Sequence, residues 1–301
     1  MKVAIFYFSA TGVTHQIAQE IQNNLQIQDS NDPIIVNMFN ILYPSVQAKS
    51  VIFSDYDVCF FGFPVYAGRL PRIAEEWFLK QKGESCPCAM FFTYGGRLLE
   101  NANQVTYHLL TRANFRPILS AEFLGRHSFN VAKGWKLCED RPNAEDFHIA
   151  REFSQKAIEL IRNPEVHFQI NMDDFHYTPA VLSTSTQRSA FHPSRFGEGC
   201  SMCRQCEIEC PVNAMNADTG EVHLATCLQC MHCVSICPDH VLKIDDVTEK
   251  FPNFMNRWHL TSEIVAKKQS LFYSSYPEKK MLLASENQHR NNTIHFFGEK
   301  I

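Results

Sequence analysis

Two cysteine runs of one pattern lie 27 residues apart: Cys200-x2-Cys203-x2-Cys206-x3-Cys210-Pro211 and Cys227-x2-Cys230-x2-Cys233-x3-Cys237-Pro238. Two intervening residues let successive sulfurs point at one centre, so each triplet can wrap three corners of an iron–sulfur cube. The fourth cysteine follows a longer gap, is held away from that centre and ligates the other cube. This assigns Cys200, Cys203, Cys206 and Cys237 to one [4Fe–4S] cluster, and Cys227, Cys230, Cys233 and Cys210 to a second. The prolines end short helices and turn the chain between the centres. Zinc is the competing reading, and a lone CxxC would favour it; two full runs in tandem, each closed by proline, do not.

These runs hold eight of the 12 cysteines, and Cys59, Cys86, Cys88 and Cys138 are scattered. The placement reads as metal ligation rather than as a disulfide framework, which implies a reducing, cytoplasmic and low-oxygen setting. A length of 301 residues suits two domains. Charge is uneven along the chain. Residues 197–249 carry nine acids and two bases, whereas residues 250–301 carry eight bases and four acids. An acidic module followed by a basic tail predicts internal docking or a charged redox protein as donor or acceptor. Nothing resembles a nucleic-acid-binding arm, and no apolar run is long enough to span a bilayer. The first residues, MKVAIFYFSATG, run into a loop pattern instead of a cleavage site and read as a strand.

Through residue 165, apolar runs alternate with helical patterns, the βα alternation that builds a parallel sheet. Strands are predicted over Lys2–Phe8, Ile34–Phe39, Val58–Phe63, Ala89–Tyr94 and Ile118–Leu124. Helices are predicted over His15–Leu25, Pro71–Lys80, Leu98–Arg112 and Ala144–Arg162, with another near Leu260–Phe272. The expected division is an α/β domain over 1–165, a linker over 166–196, the cysteine module over 197–249 and a C-terminal extension over 250–301.

Between the first strand and helix lies Ser9-Ala10-Thr11-Gly12-Val13-Thr14. A terminal phosphate needs N–H donors at a helix start, hydroxyls around it, and a glycine where backbone comes close. This segment supplies all three. It has no GxxxxGK pattern, which argues against a nucleoside triphosphate, and a helix cap with incidental hydroxyls is the competing reading. Pro64-Val65-Tyr66-Ala67-Gly68 follows the third strand, and Thr93-Tyr94-Gly95-Gly96 follows the fourth. Both fall at strand C-termini near the order reversal, where doubly wound sheets bind ligands. Tyr66 or Tyr94 could stack on a flat ring or be a capped core aromatic.

The phosphate loop resembles that of flavodoxins, [S/T]-x-T-G-x-T, although Val13 stands where the family usually has Asn. The cysteine runs resemble a bacterial-type two-cluster ferredoxin, and the order of the two parts is similar to that of flavodoxin–ferredoxin fusion proteins. The resemblance implies a flavodoxin-like, five-stranded doubly wound parallel sheet of order 2-1-3-4-5, joined to a small α+β ferredoxin domain. It also implies FMN, held by the three loops, beside the two [4Fe–4S] clusters.

The loops after strands three to five carry Arg69, Arg97, Arg126 and His127, with Lys133 nearby, and no acid lies within 63–72 or 93–99. Such a basic rim would favour the reduced, anionic flavin, and it would dock the acidic module or an anionic substrate; ordinary solvated charges are the alternative. His127 is the candidate proton donor. The leading functional reading is an oxidoreductase-type electron-transfer flavoprotein that passes electrons between clusters and FMN. A second is a reductase of a small acceptor such as a quinone, a nitro-compound or an activated alkene. A third is a scaffold with structural clusters and no flavin. An open flavin face lined by these loops would favour the reductase, and a closed one electron transfer.

Overall fold

The computed structural model describes residues 1–27, 33–163, 168–172, 177–180 and 187–273. Its first strand shows why the apolar runs assemble as they do. In β1 (Lys2–Tyr7), Val3, Ile5 and Tyr7 join one apolar layer, while Ala4 and Phe6 join another. Side chains alternate along a strand, so a continuous apolar run must be covered on both faces. The chain continues through α1 (Val13–Ile27), β2 (Ile35–Asn40), α2 (Pro44–Gln47), β3 (Val58–Pro64), α3 (Arg72–Phe78), β4 (Pro87–Tyr94), α4 (Ala102–Arg112), β5 (Arg116–Leu124) and α5 (Ala144–Arg162). Helix α1 contributes Ile17, Ile21 and Leu25 to one layer, together with Phe153 of α5. Trp77 of α3 and Leu109 of α4 enter the other. The five strands run parallel in the order β2-β1-β3-β4-β5. The result is a flavodoxin-like, doubly wound sheet whose order reverses beside β1, so the loops after β1 and β3 diverge there and leave a crevice.

The sheet has six strands rather than five. The C-terminal segment forms α8 (Lys250–Arg257), α9 (Ser262–Ala266) and β10 (Leu271–Tyr273), and β10 pairs antiparallel with β5. The helix expected near Leu260–Phe272 is therefore short and gives way to a strand. An uncovered β5 edge would present unpaired backbone groups, and β10 satisfies them. A buried polar chain fixes it: Ser120 Oγ donates to Asn103 Oδ1 at 2.6 Å, and Asn103 Nδ2 donates to the Tyr273 hydroxyl at 2.6 Å. Residues 274–301 of the expected extension lie outside the described residues.

The cysteine module contains β6 (Ser194–Arg195), α6 (Gln205–Ile208), β7 (Met215–Asn216), β8 (Glu221–Val222), α7 (His232–Ile236) and β9 (Leu242–Lys243), with its sheet in the order β7-β8-β6-β9. Because β6 belongs to this sheet, the module begins ahead of the expected boundary at 197. The internal repeat is structural as well as sequential. Met202 and Gln229, Arg204 and Met231, and Asn213 and His240 all have positive φ, and each pair is separated by 27 residues.

The linker is not a free tether. Phe168 and Ile170 are buried in the core, Tyr177 stacks on His108 at 4.6 Å, and Ala180 N donates to buried Glu75 at 3.3 Å. Its residues 166–167, 173–176 and 181–186 lie outside the described residues. Among the described residues, no helix is long and apolar enough to cross a membrane.

Candidate functional site

The loop between β1 and α1 has the donor geometry of an anion site. The N–H groups of Thr11 and Gly12 lie outside any helix or strand and have no acceptor among the described residues. The first N–H groups of α1 lack intrahelical partners by geometry. Ser9 Oγ accepts from His15 N at 3.0 Å, closing the loop onto the helix. Thr14 is buried and shares a 2.7 Å hydrogen bond with the Thr93 hydroxyl. The start of α1 is thereby joined to the end of β4, so two of the three predicted loops meet through Thr14 and Thr93.

After β3, Tyr66 and Arg69 exchange backbone hydrogen bonds of 2.7 and 3.1 Å around Ala67 (φ 48°) and Gly68 (φ 78°). Two successive positive φ values make a tight hairpin-type turn, and a Cβ at Gly68 would strike Glu100. Tyr66 is half-buried and edge-on to Phe8 at 6.3 Å. Val65 N donates to Thr93 O at 2.9 Å, and Pro64 ends β3 beside Thr93. Tyr94 is buried in the core layer, and Gly95 lies where a Cβ would meet the His127 ring.

Cys200, Cys203, Cys206 and Cys237 line one cavity. Cys206 feels Cys203, Cys237 and Cys200 as electrostatic neighbours, with burial first and these next in pushing its thiol up. In the second quartet, burial raises the Cys230 thiol to about 12, with Cys227 and Cys210 adding to the effect. Burial likewise raises Cys227 to about 11, with a contribution from Cys210. Burial and mutual crowding disfavour the thiolate form of Cys227, Cys230 and Cys233, and a bound cation would offset that cost. Backbone donors already face the sulfurs: Ala214 N lies 3.2 Å from Cys210 Sγ, and Gln229 N lies 3.4 Å from Cys227 Sγ. The left-handed residues within the runs form anion-accepting nests of this kind. All 12 cysteines are free thiols, and among the described residues no group of three His, Cys, Asp or Glu side chains is arranged to hold a metal ion. Four thiols in each group are the donor set that a thiolate-ligated cluster would need.

The second quartet packs against the sheet domain. Cys230 belongs to the main core layer together with Phe8, Tyr66 and Tyr94. Burial holds the Tyr66 phenol well above its usual range, and Cys230 is the charge partner that adds to it. His232, on the first turn of α7, is buried and points Nδ1 at Ala10 O, 2.9 Å away. A second contact joins the module to the loop after β5. Trp135 shares one buried cluster with Met231, Ile244 and Val247, its ring packs on Phe251 and Phe254 at 5.1 and 4.6 Å, and Val247 N donates to Lys133 O at 3.0 Å.

The basic rim is largely neutralised. Arg69 makes a bidentate pair with Glu75 at 2.8 and 2.9 Å, and Glu75 is 2 % exposed. Arg97 pairs with Glu100 and lies 4.0 Å over the Trp258 ring. Lys133 pairs with Asp246 of the module. Both partner acids of the arginines lie just outside the acid-free windows of the sequence, which is why the rim looked uncompensated. Arg126 is the exposed rim cation without an ion pair among the described residues. Docking therefore proceeds through apolar packing and the His232 contact, not through Arg69 and Arg97.

His127 does not suit proton donation. Burial first, and the Arg97 charge second, hold its pKa down to about 4, and Nδ1 accepts from Phe129 N at 3.1 Å. The ring is neutral at pH 7, with its hydrogen on Nε2. Because the folded pKa lies below the ordinary value of about 6.5, the stability it contributes is complete above that value and is lost as pH falls through about 4. Thermal melts across this window are expected to show a steeper acid loss for the wild type than for His127→Gln. Parallel curves would remove His127 as the cause.

The contacts that sequence reasoning missed are His232, Glu75, Glu100, Trp135 and the strap formed by α8, α9 and β10. One signal for His232 was present. At the 27-residue offset, buried His232 replaces exposed Gln205, so the repeat loses its symmetry where the second run meets the sheet domain.

No protein-family model matches the chain, and a search of curated proteins finds no match. Solved structures with a similar arrangement include an archaeal flavodoxin, 14 % identical, covering 54 % of this chain and 100 % of its own at a TM-score of 0.38. A Streptococcus pneumoniae flavodoxin is 15 % identical, covering 53 % and 99 % at 0.36. A Synechocystis flavodiiron core is 16 % identical at a TM-score of 0.40; the match covers 55 % of this chain and only 37 % of that one. These matches cover little more than half of this chain, and the doubly wound topology is read from the strand order of the chain itself.

Proposed function

We propose that the chain is an electron-transfer flavoprotein, with FMN held by the loops after β1, β3 and β4 and a [4Fe–4S] cluster in each cysteine quartet. The observation that carries this reading is the burial of Cys230 in the same core layer as Tyr66 and Tyr94. When bound, the clusters would supply single-electron steps and the flavin a store for one or two electrons. The residues around them do the rest. Thr11, Gly12 and the start of α1 would bind the phosphate. Tyr66 and Tyr94 would supply aromatic surface for the ring. Cys227, Cys230, Cys233 and Cys210 would hold the cluster next to the flavin, and Cys200, Cys203, Cys206 and Cys237 the one farther out, where Cys203 is exposed.

Enclosure favours electron transfer over turnover of a small acceptor. The module meets the loop after β1 through His232 and Ala10 and the loop after β3 through Cys230 and Tyr66. The strap covers the loop after β4, with Trp258 on Arg97, Val265 beside Gly96 and Lys268 Nζ 3.1 Å from Arg97 O. Anaerobic reductive titration of reconstituted protein tests the reading. Bleaching of cluster and flavin absorbance from one electron source, without turnover of added quinone or nitro-compound, is expected. Protein that takes up iron and sulfide but no flavin would leave the scaffold reading in its place.

A further inference from the structure

The Ala10 carbonyl belongs to the phosphate-loop segment, yet it is satisfied by the cysteine module. His232 Nδ1 lies 2.9 Å from it. A carbonyl oxygen only accepts, so this ring nitrogen carries the hydrogen. The Ser235 hydroxyl is 3.2 Å away but closer, at 2.8 Å, to the His232 carbonyl, so His232 is the principal donor. Ala10 is 6 % exposed and His232 is 5 % exposed, which leaves little room for water to substitute.

A trans peptide sets the C=O of one residue and the N–H of the next on opposite sides of a rigid plane. Holding the Ala10 oxygen toward the module therefore turns the Thr11 N–H away from it. That N–H has no acceptor among the described residues. We propose that His232 is a positioning residue for the phosphate loop: by fixing the Ala10–Thr11 peptide, the cysteine module sets how tightly the loop holds the phosphate of its mononucleotide. The proposal rests on the FMN reading above.

The coupling has a physical consequence. His232 lies between Cys230 and Cys233, so its place depends on the fold of the second cysteine run. Anything that orders this run strengthens phosphate binding, and by linkage bound phosphate strengthens the docking of the module. At the 27-residue offset, Ser235 and buried His232 stand where the first run has exposed Ile208 and Gln205, so the two donors to Ala10 O belong to the second run.

The test compares FMN with riboflavin, which lacks the phosphate, by fluorescence quenching on anaerobically reconstituted full chain. His232→Leu is expected to weaken FMN by roughly 10-fold or more, the usual result of leaving a buried carbonyl short of its donor. Riboflavin affinity should be unchanged. His232→Asn, whose amide N–H can replace Nδ1–H, should recover most of the loss; His232→Gln, whose amide lies one bond farther out, should not. Iron content is measured on each variant, and if His232→Leu loses iron the Asn and Gln pair decides. Equal weakening of FMN and riboflavin, or no FMN difference between the Asn and Gln variants, would overturn the proposal alone. Wild-type protein that binds no FMN would overturn the flavin reading and the proposal with it.

Discussion

Cys210→Ser is expected to remove the iron–sulfur centre of the second cysteine run, not of the first in which Cys210 lies, and with it the delivery of electrons to flavin. Total iron should fall to about half, since each centre takes four irons from four thiolates. The expectation follows from position. Cys227, Cys230 and Cys233 all feel Cys210 as a charge neighbour, whereas Cys206 feels Cys203, Cys237 and Cys200. Cys237→Ser should do the reverse: it should empty the outer site and leave the inner one in place. Electron paramagnetic resonance of each reduced variant separates the two outcomes. If Cys210→Ser instead destroyed the centre of Cys200, Cys203 and Cys206, the crossed assignment would be wrong, and so would the identity of the cluster beside Tyr66.

Asp146→Ala should give the largest stability loss outside the clusters. Its carboxylate is fully buried and serves three partners at once. It forms a bidentate pair with Arg141, accepts from Asn143 N at 2.7 Å to complete the cap of α5, and accepts from the Ser270 hydroxyl. Ser270 in turn accepts from Leu124 N at 2.9 Å, at the end of β5. Asp146 thus adds a buried tie between the strap and α5, beside the pairing of β10 with β5. Removing it leaves a largely buried guanidinium without its counter-charge, which costs about 3–5 kcal/mol. Denaturant unfolding should show that loss, and limited proteolysis should cut within 250–273 before the sheet domain opens. Asp146→Asn keeps an acceptor for the cap and should lose less. Wild-type resistance to cleavage in Asp146→Ala would mean that β10 pairing and the Trp258–Arg97 contact hold the strap without it.

The sheet domain was legible because its signals are local. Strand starts and ends fell within two residues of the expected ones, and helix Ala144–Arg162 has the expected bounds. Continuous apolar runs such as Val58–Phe63 can be buried only in the middle of a sheet, and a hydroxyl-rich loop before a helix exposes N–H groups whatever the rest of the fold does. The strap was not legible. Leu271–Tyr273 carries too few residues for a strand period to stand out, and it becomes a strand because β5 has an open edge. The rim was misread for a related reason. Glu75 and Glu100 are near Arg69 and Arg97 only after α3 and the turn before α4 have formed.

The division between sequence and structure follows the range of the forces involved. Spacing within the cysteine runs, the order of strands and helices, and the hydroxyls of Ser9 to Thr14 are properties of short segments, and the sequence by itself determined them. Which surface of the module meets the sheet domain and which quartet lies inward depend on residues 100 or more positions apart, such as His232 and Ala10 or Lys133 and Asp246. Only the tertiary structure decided those, because burial and pairing energies exist only once the distant partners are packed.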